Sequence, residues 1–200
     1  MSHTVDYYFA PQSPWTYLGH ARFAAMASQA KAIVRVLPVD LGRVFPVSGG
    51  LPLPKRAPQR QSYRLLELKR FSEHLKMPMN VQPKFFPVSG DDSAKLIIAV
   101  DMHDGAEAAM RIAGAVMAAC WEQERNIASE ATLIELLTEQ GLNPARLEQA
   151  HSQAVQQRYD ADTARAIEQG VFGAPSYVVD GEMFWGQDRL DFVERKLLRG

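Results

Sequence analysis

The sequence predicts an α/β fold in the order β-α-β, a long helical insertion, then β-β-α. Three stretches carry that prediction. Residues 5–9, Val-Asp-Tyr-Tyr-Phe, form a β-branched and aromatic run that stops at Pro11 and leads into Ser13-Pro14. Residues 32–37, Ala-Ile-Val-Arg-Val-Leu, are a second such run, one helix later. Residues 176–179 and 182–185 flank Asp180-Gly181, a pair suited to the left-handed turn of a hairpin.

Proline is favoured at the first helical position because its missing N–H would be unpaired there, so Ser13 is the expected N-cap of the first helix. Trp15, Leu18, Ala21, Ala25 and Met26 recur at roughly helical spacing and are its expected apolar face. A strand, a crossover helix and a strand at this spacing make a right-handed parallel unit. After Pro38 come Asp40-Leu41-Gly42-Arg43-Val44-Phe45-Pro46 and a loop through Gly49, Gly50, Pro52, Pro54 and Pro58. That loop holds the basic pair Lys55-Arg56, which is either a solvated charge pair or an anion contact. Helical patterns follow over 61–76, from Ser93 to a break near Gly105 and on through Trp121, from a Ser129 cap to Gly141, and from Asn143-Pro144 to Gly170. After the hairpin, Gly186-Gln187-Asp188-Arg189 turns into a last helix bearing Leu190, Val193 and Leu197. The expected units are residues 1–45 with 170–200 for the sheet, and 46–169 for the loop and helical insertion.

Composition narrows the function. With 46% hydrophobic residues in 200, the chain can bury a real core. Its 22 Lys and Arg against 23 Asp and Glu, without a basic run, argue against nucleic acid as the main partner. No apolar run reaches membrane-spanning length and no signal-peptide pattern precedes the first strand, so no membrane contact and a cytoplasmic location are expected. One cysteine, Cys120, excludes an internal disulfide; sharing a face with Met110, Ala113, Met117 and Trp121, it reads as a small buried hydrophobe. His3, His20, His74, His103 and His151 lack ligand spacing, so no metal is expected. No G-x-S-x-G elbow surrounds Ser13, which argues against a hydrolase triad.

Five segments in order carry a resemblance: Tyr8-Phe9 with Ser13-Pro14-Trp15-Thr16-Tyr17-Leu18; Asp40-Leu41-Gly42-Arg43-Val44; Arg158-Tyr159-Asp160; Val171-Phe172-Gly173-Ala174-Pro175; and Phe184-Trp185-Gly186-Gln187-Asp188-Arg189-Leu190. On these the chain resembles a thioredoxin-like fold with an all-helical insertion. It is similar to the group of DsbA-like proteins, kappa-class glutathione transferases and 2-hydroxychromene-2-carboxylate isomerases, with the Trp-Gly-Gln-Asp-Arg-Leu segment pointing to the isomerases. In the disulfide oxidoreductases of this fold two cysteines open the first helix. Ser13 and Thr16 stand there in this chain, so disulfide exchange at that place is excluded.

The resemblance implies glutathione as cofactor, its thiolate held by Ser13 at the positive end of the helix. Lowering a thiol pKa by roughly two units takes about 2.7 kcal/mol, which an O–H···S bond and the helix dipole together can approach. It further implies a cis Pro175 that presents the Ala174 main chain to the cysteinyl part of the tripeptide. Trp185, Gly186, Gln187 and Asp188 are implied at its γ-glutamyl end, and Lys55 or Arg56 at the glycyl carboxylate or an acidic substrate. Read from residues alone, Ser13 is a cap, Pro175 an ordinary trans turn proline, and Gln187-Asp188 an N-cap. The implied reaction is isomerisation of a small aromatic hydroxy acid in aromatic-compound degradation, by a homodimer. Isomerase relatives usually carry a lysine after the Asp-Leu-x-x-Val segment and an asparagine after a loop glycine; here Phe45, Pro46 and Gly50 occupy that region. A kappa-like transferase, or a non-catalytic peptide-binding module using the Pro175 strand, are the alternatives.

Overall fold

A computed structural model of the chain describes residues 3–198; residues 1, 2, 199 and 200, which the expected sheet unit includes, lie outside the described residues. Four strands form one mixed sheet in the order β2-β1-β3-β4. β1 (Thr4–Phe9) runs parallel to β2 (Ile33–Pro38) and is joined to it by α1 (Pro14–Gln29). β3 (Ser176–Val179) lies antiparallel on the other side of β1, and β4 (Glu182–Trp185) completes the hairpin. Asp180 and Gly181 both take positive φ, 51° and 81°, as a tight two-residue turn requires.

Strand alternation sorts the side chains of β1 to two covered faces. Val5, Tyr7 and Phe9 join the larger core with Leu18, Phe23, Val36, Tyr177 and Val179. Tyr8 points the other way, into a smaller cluster with Leu37, Val39, Ala166, Val171 and Val178. Asp6 shares that second face and is held by Arg35 at 3.2 Å and Arg165 at 2.7 Å, which is how a carboxylate survives inside an apolar strand.

Between the two halves of the sheet lie α2 (Leu41–Ser48), α3 (Pro58–Leu75), α4 (Asp91–Asp104), α5 (Ala106–Trp121), α6 (Glu130–Glu139), α7 (Arg146–Ala150) and α8 (Gln153–Glu168); α9 (Leu190–Leu198) ends the described chain. Among the described residues no helix is long and apolar enough to cross a membrane.

Three local expectations are corrected. α1 turns Ala21 and Ala25 to solvent and buries Leu18, Phe23 and Ala27 with Thr16, Tyr17, Gly19 and His20. Alanines offer little apolar area, whereas Phe23 stacks on Tyr7 and Tyr177 at 4.7 Å each. His20 is drawn inward because both ring nitrogens find partners, Tyr7 Oη at 3.1 Å and the Met110 carbonyl at 2.9 Å. Second, residues 41–48 are helical: Asp40 accepts the Gly42 N–H at 2.7 Å and Gly49, at φ 75°, stops the helix despite Pro46. Third, the pattern from Asn143 to Gly170 is two helices, because Ser152 caps α8 by accepting the Val155 N–H at 3.3 Å.

Candidate active site

Tyr8 of β1 stands opposite Ser176 of β3, so the residues that follow one and precede the other leave the sheet at the same end. On one side the chain turns through Ala10-Pro11-Gln12, closed by the Ser13 N–H on the Ala10 carbonyl at 2.9 Å, and enters α1. On the other side lies the Ala174-Pro175 peptide, which is cis. The Pro175 carbonyl accepts the Gly186 N–H at 2.9 Å, and Trp185 pairs with Ser176. Register alone therefore gathers Ser13, Ala174, Pro175, Trp185 and Gly186 at one edge.

Ser13 is the N-cap of α1, with extended backbone (φ −78°, ψ 122°), and its Oγ accepts the Thr16 N–H at 3.3 Å. That bond occupies an acceptor lone pair and leaves the hydroxyl proton free, since no acceptor for it is found among the described residues. The Trp15 N–H, one of the donors that a helix start leaves over, also has no partner among the described residues. Across the edge, the Ala174 N–H and C=O make no main-chain hydrogen bond among the described residues. A hydroxyl proton, a helix-end N–H and an unpaired peptide thus lie at the same end of the sheet, a set suited to an anionic sulfur flanked by a short stretch of peptide backbone. Thr16 Oγ1, fully buried and without a partner among the described residues, lies one turn behind.

The remaining expected residues divide. Trp185 is 51% exposed and meets Phe172 edge-on at 4.7 Å, its indole pressed over Gly173 so closely that a Cβ there would sit 2.5 Å from Nε1. Asp188 is on the surface, paired with Arg189 at 2.7 Å. Gln187 is only 2% exposed; Arg22 donates to its side-chain oxygen, to its main-chain carbonyl at 3.1 Å and to the Leu18 carbonyl at 3.3 Å. Its amide nitrogen is the group left to meet a ligand, and the residue chiefly clamps the 3-10 turn Gln187–Arg189 onto α1. Lys55 ends a 3-10 turn, Leu53–Lys55, exposed to solvent, while Arg56 donates from Nε to the Leu51 carbonyl at 2.8 Å. Neither contacts the sheet-end group, so the structure does not bring them to Ser13 directly.

Arg22 is not legible in the sequence as belonging to this edge. Arg22 sits mid-helix among small residues, and only its contact with a turn 165 positions away reveals its role. Cys120 is excluded as a protein thiolate, since burial pushes its thiol up to about 12. Among the described residues no group of three or more His, Cys, Asp or Glu side chains is placed to hold a metal ion.

The chain matches the model of the DsbA-like thioredoxin domain over residues 4–198. It is 30% identical, over 98% of its own length and 94% of the other, to a protein of Pseudomonas putida named 2-hydroxychromene-2-carboxylate isomerase. The chain belongs to the 2-hydroxychromene-2-carboxylate isomerase family. A solved structure of a 2-hydroxychromene-2-carboxylate isomerase superposes with a TM-score of 0.84 at 28% identity, covering 98% of this chain and 95% of that one. A further relative, glutathione S-transferase kappa 1 of Caenorhabditis elegans, is 25% identical over 94% of this chain and 88% of its own. Membership accounts for the thioredoxin-like order of strands around the insertion.

Proposed function

We propose that this family member is a glutathione-dependent isomerase acting on a small aromatic hydroxy acid of the 2-hydroxychromene-2-carboxylate type. The observation that carries the reading is the Ser13 hydroxyl: it is locked as an acceptor by Thr16 and left with a proton to give, at the positive end of α1. The residues present fit the tripeptide, because a free donor and an unpaired peptide lie on opposite sides of one edge.

When bound, glutathione supplies a sulfur nucleophile that adds reversibly to a conjugated carbon, making a double bond single so that the substrate can rotate. The chain's own residues do the rest. Ser13 holds the sulfur in its charged form by donating its hydroxyl proton, and the α1 dipole favours the same charge. Ala174 aligns the cysteinyl backbone through its N–H and C=O, while Pro175, fixed through its carbonyl to Gly186, keeps that edge in register. Gly186, Gln187 and Asp188 hold the γ-glutamyl end at the turn clamped by Arg22. Trp185 with Phe172 walls the site with aromatic surface. Lys55 or Arg56 would meet a carboxylate at the glycyl end. The reading places the enzyme in the cytoplasm, where glutathione is kept reduced, and takes the working unit to be a homodimer. A transferase of the kappa kind is the second reading, favoured by Phe45 and Pro46 where isomerases usually carry a basic side chain.

Turnover of 2-hydroxychromene-2-carboxylate, followed by ultraviolet absorbance with and without reduced glutathione, tests the proposal. Isomerisation that needs glutathione and is lost in Ser13→Ala is expected. Conjugation of glutathione to an electrophile without isomerisation would favour the transferase reading.

A further inference from the structure

Between Asp40 and Glu67 the chain carries Arg43, Lys55, Arg56, Arg60 and Arg64 and no acidic residue. Arg60 and Arg64 lie one turn apart on α3 and Arg56 just before its start, near enough that the like charges repel. None of the three forms an ion pair among the described residues, and only Arg56 has a hydrogen-bond acceptor, the Leu51 carbonyl. The first acid of α3, Glu67, is taken by Arg70 at 2.6 Å, and Arg64 forms neither an ion pair nor a hydrogen bond among the described residues.

Arg64 is partly buried. Its guanidinium lies 5.2 Å from the centre of the Phe86 ring and 5.8 Å from that of Trp121, and it lines a surface cavity of about 430 Å³ together with Leu65, Val81, Pro83, Phe86 and Pro87. Burial and the Arg56 charge push the guanidinium down to about 10, and burial with Arg60 pushes Arg56 down as well. A half-buried cation normally has an anion beside it, because desolvation is otherwise uncompensated. Here the stacked rings hold the fork in place and leave its donors open.

Two links lead from the cavity toward the Ser13 end of α1. Its wall residues Phe86 and Pro87 lead within three positions to Gly90, against whose backbone the Gln12 side chain packs. Two turns along α3 from Arg64, Phe71 meets Trp15 edge-on at 6.0 Å.

We infer that the Arg64 cavity is the subsite that reads the carboxylate of an aromatic acid, with Arg64 as the charged anchor and Phe86, Pro83 and Pro87 as walls for the ring. The size suits a bicyclic or smaller ligand, and the predominantly apolar lining favours an aromatic acid over the glycyl end of a peptide. A guanidinium fixed on an aromatic ring also suits the planar, two-oxygen geometry of a carboxylate. This deepens the isomerase reading and rests on it only for which aromatic acid is used.

The test is calorimetric titration of wild type, Arg64→Met and Arg64→Lys with 2-hydroxycinnamate, with its neutral amide and, separately, with reduced glutathione, each protein first checked for an unchanged circular dichroism spectrum. Wild type should prefer the acid to the amide, Arg64→Met should lose about tenfold or more in affinity for the acid alone, on the scale of a lost charge-assisted bond, and Arg64→Lys should fall between. Equal affinity of Arg64→Met and wild type for the acid would overturn the inference, as would equal binding of acid and amide by wild type. A matching loss of glutathione affinity in Arg64→Met would also overturn it, by making the glycyl carboxylate the occupant. Glutathione failing to bind wild type, while the acid still depends on Arg64, would sink the isomerase reading and leave this subsite standing.

Discussion

Tyr8 and Ser176 face each other across the antiparallel pair of β1 and β3, and this register brings the turn before Ser13 and the Ala174-Pro175 peptide to the same end of the sheet. The proposed function thus rests on a hydroxyl whose structural duty is small. Replacing Ser13 by Ala removes a cap worth about 1 kcal/mol. Thermal melting should show a drop of only a few degrees, while glutathione-dependent isomerisation should fall by orders of magnitude. A variant that melts like wild type and keeps its turnover would remove Ser13 from the mechanism.

Arg22 braces the turn proposed to hold the γ-glutamyl end. Arg22→Met would strand the Gln187 main-chain carbonyl and side-chain oxygen that it now satisfies, at a cost of about 2 to 3 kcal/mol for bonds to a charged donor. For a chain of this size that is roughly 5 to 10 °C in Tm. Glutathione KM should rise more than kcat falls, since the sulfur end is untouched. A variant with normal KM would separate Gln187 and Asp188 from the cofactor.

Gly19 lets the same turn approach α1. A Cβ at this position would sit 2.8 Å from Gln187 Cβ and 3.1 Å from the Tyr177 hydroxyl. Gly19→Ala should therefore destabilise by about 1 to 3 kcal/mol, as overpacking does, even though alanine is the better helix former. Denaturant unfolding measures this, and a stabilised variant would show that the turn yields freely.

Two buried groups give stability opposite slopes with pH. Burial lowers His20 to about 4 from an unfolded value near 6.5. The unfolded chain therefore binds the extra proton first, and the stability contributed by neutral His20 is full above about pH 6.5 and is lost as pH falls toward 4. Burial raises Asp162 from 3.8 to about 6 against the pull of Arg158, so its contribution has the reverse sign: present at low pH and lost as pH rises through about 6. Relative to wild type, His20→Gln should gain stability on acidification through this window, by up to about 3 kcal/mol, and Asp162→Asn should lose it. Parallel urea titrations across this pH range read both slopes; slopes of the same sign would refute the assignment.

Much of this was open to reading in the chain itself, and the reasons are local. Ser13-Pro14, Asp180-Gly181 and the alternating residues of β1 specify their geometry over a few positions, by capping, positive φ and pleat. The helix at 41–48 was hidden because Pro46 and the glycines around it read as loop, whereas a single Asp40 cap and one buried residue, Val44, suffice to hold it. The role of Gln187 was hidden for a different reason: its partner lies 165 residues away, and no local pattern announces a long-range clamp. Arg64 escaped notice because its signal is the lack of a neighbouring acid, which appears only when the whole stretch from 41 to 66 is considered.

The proposed catalysis turns on a sulfur held as an anion by Ser13. Titrating glutathione calorimetrically into wild type and Ser13→Ala, in buffers of differing ionisation enthalpy at a pH below that of the free thiol, measures the protons released on binding. Release approaching one proton per site is expected in wild type and almost none in Ser13→Ala, with tripeptide binding kept in both. Equal release from the two proteins, or binding to wild type without any release, would contradict it.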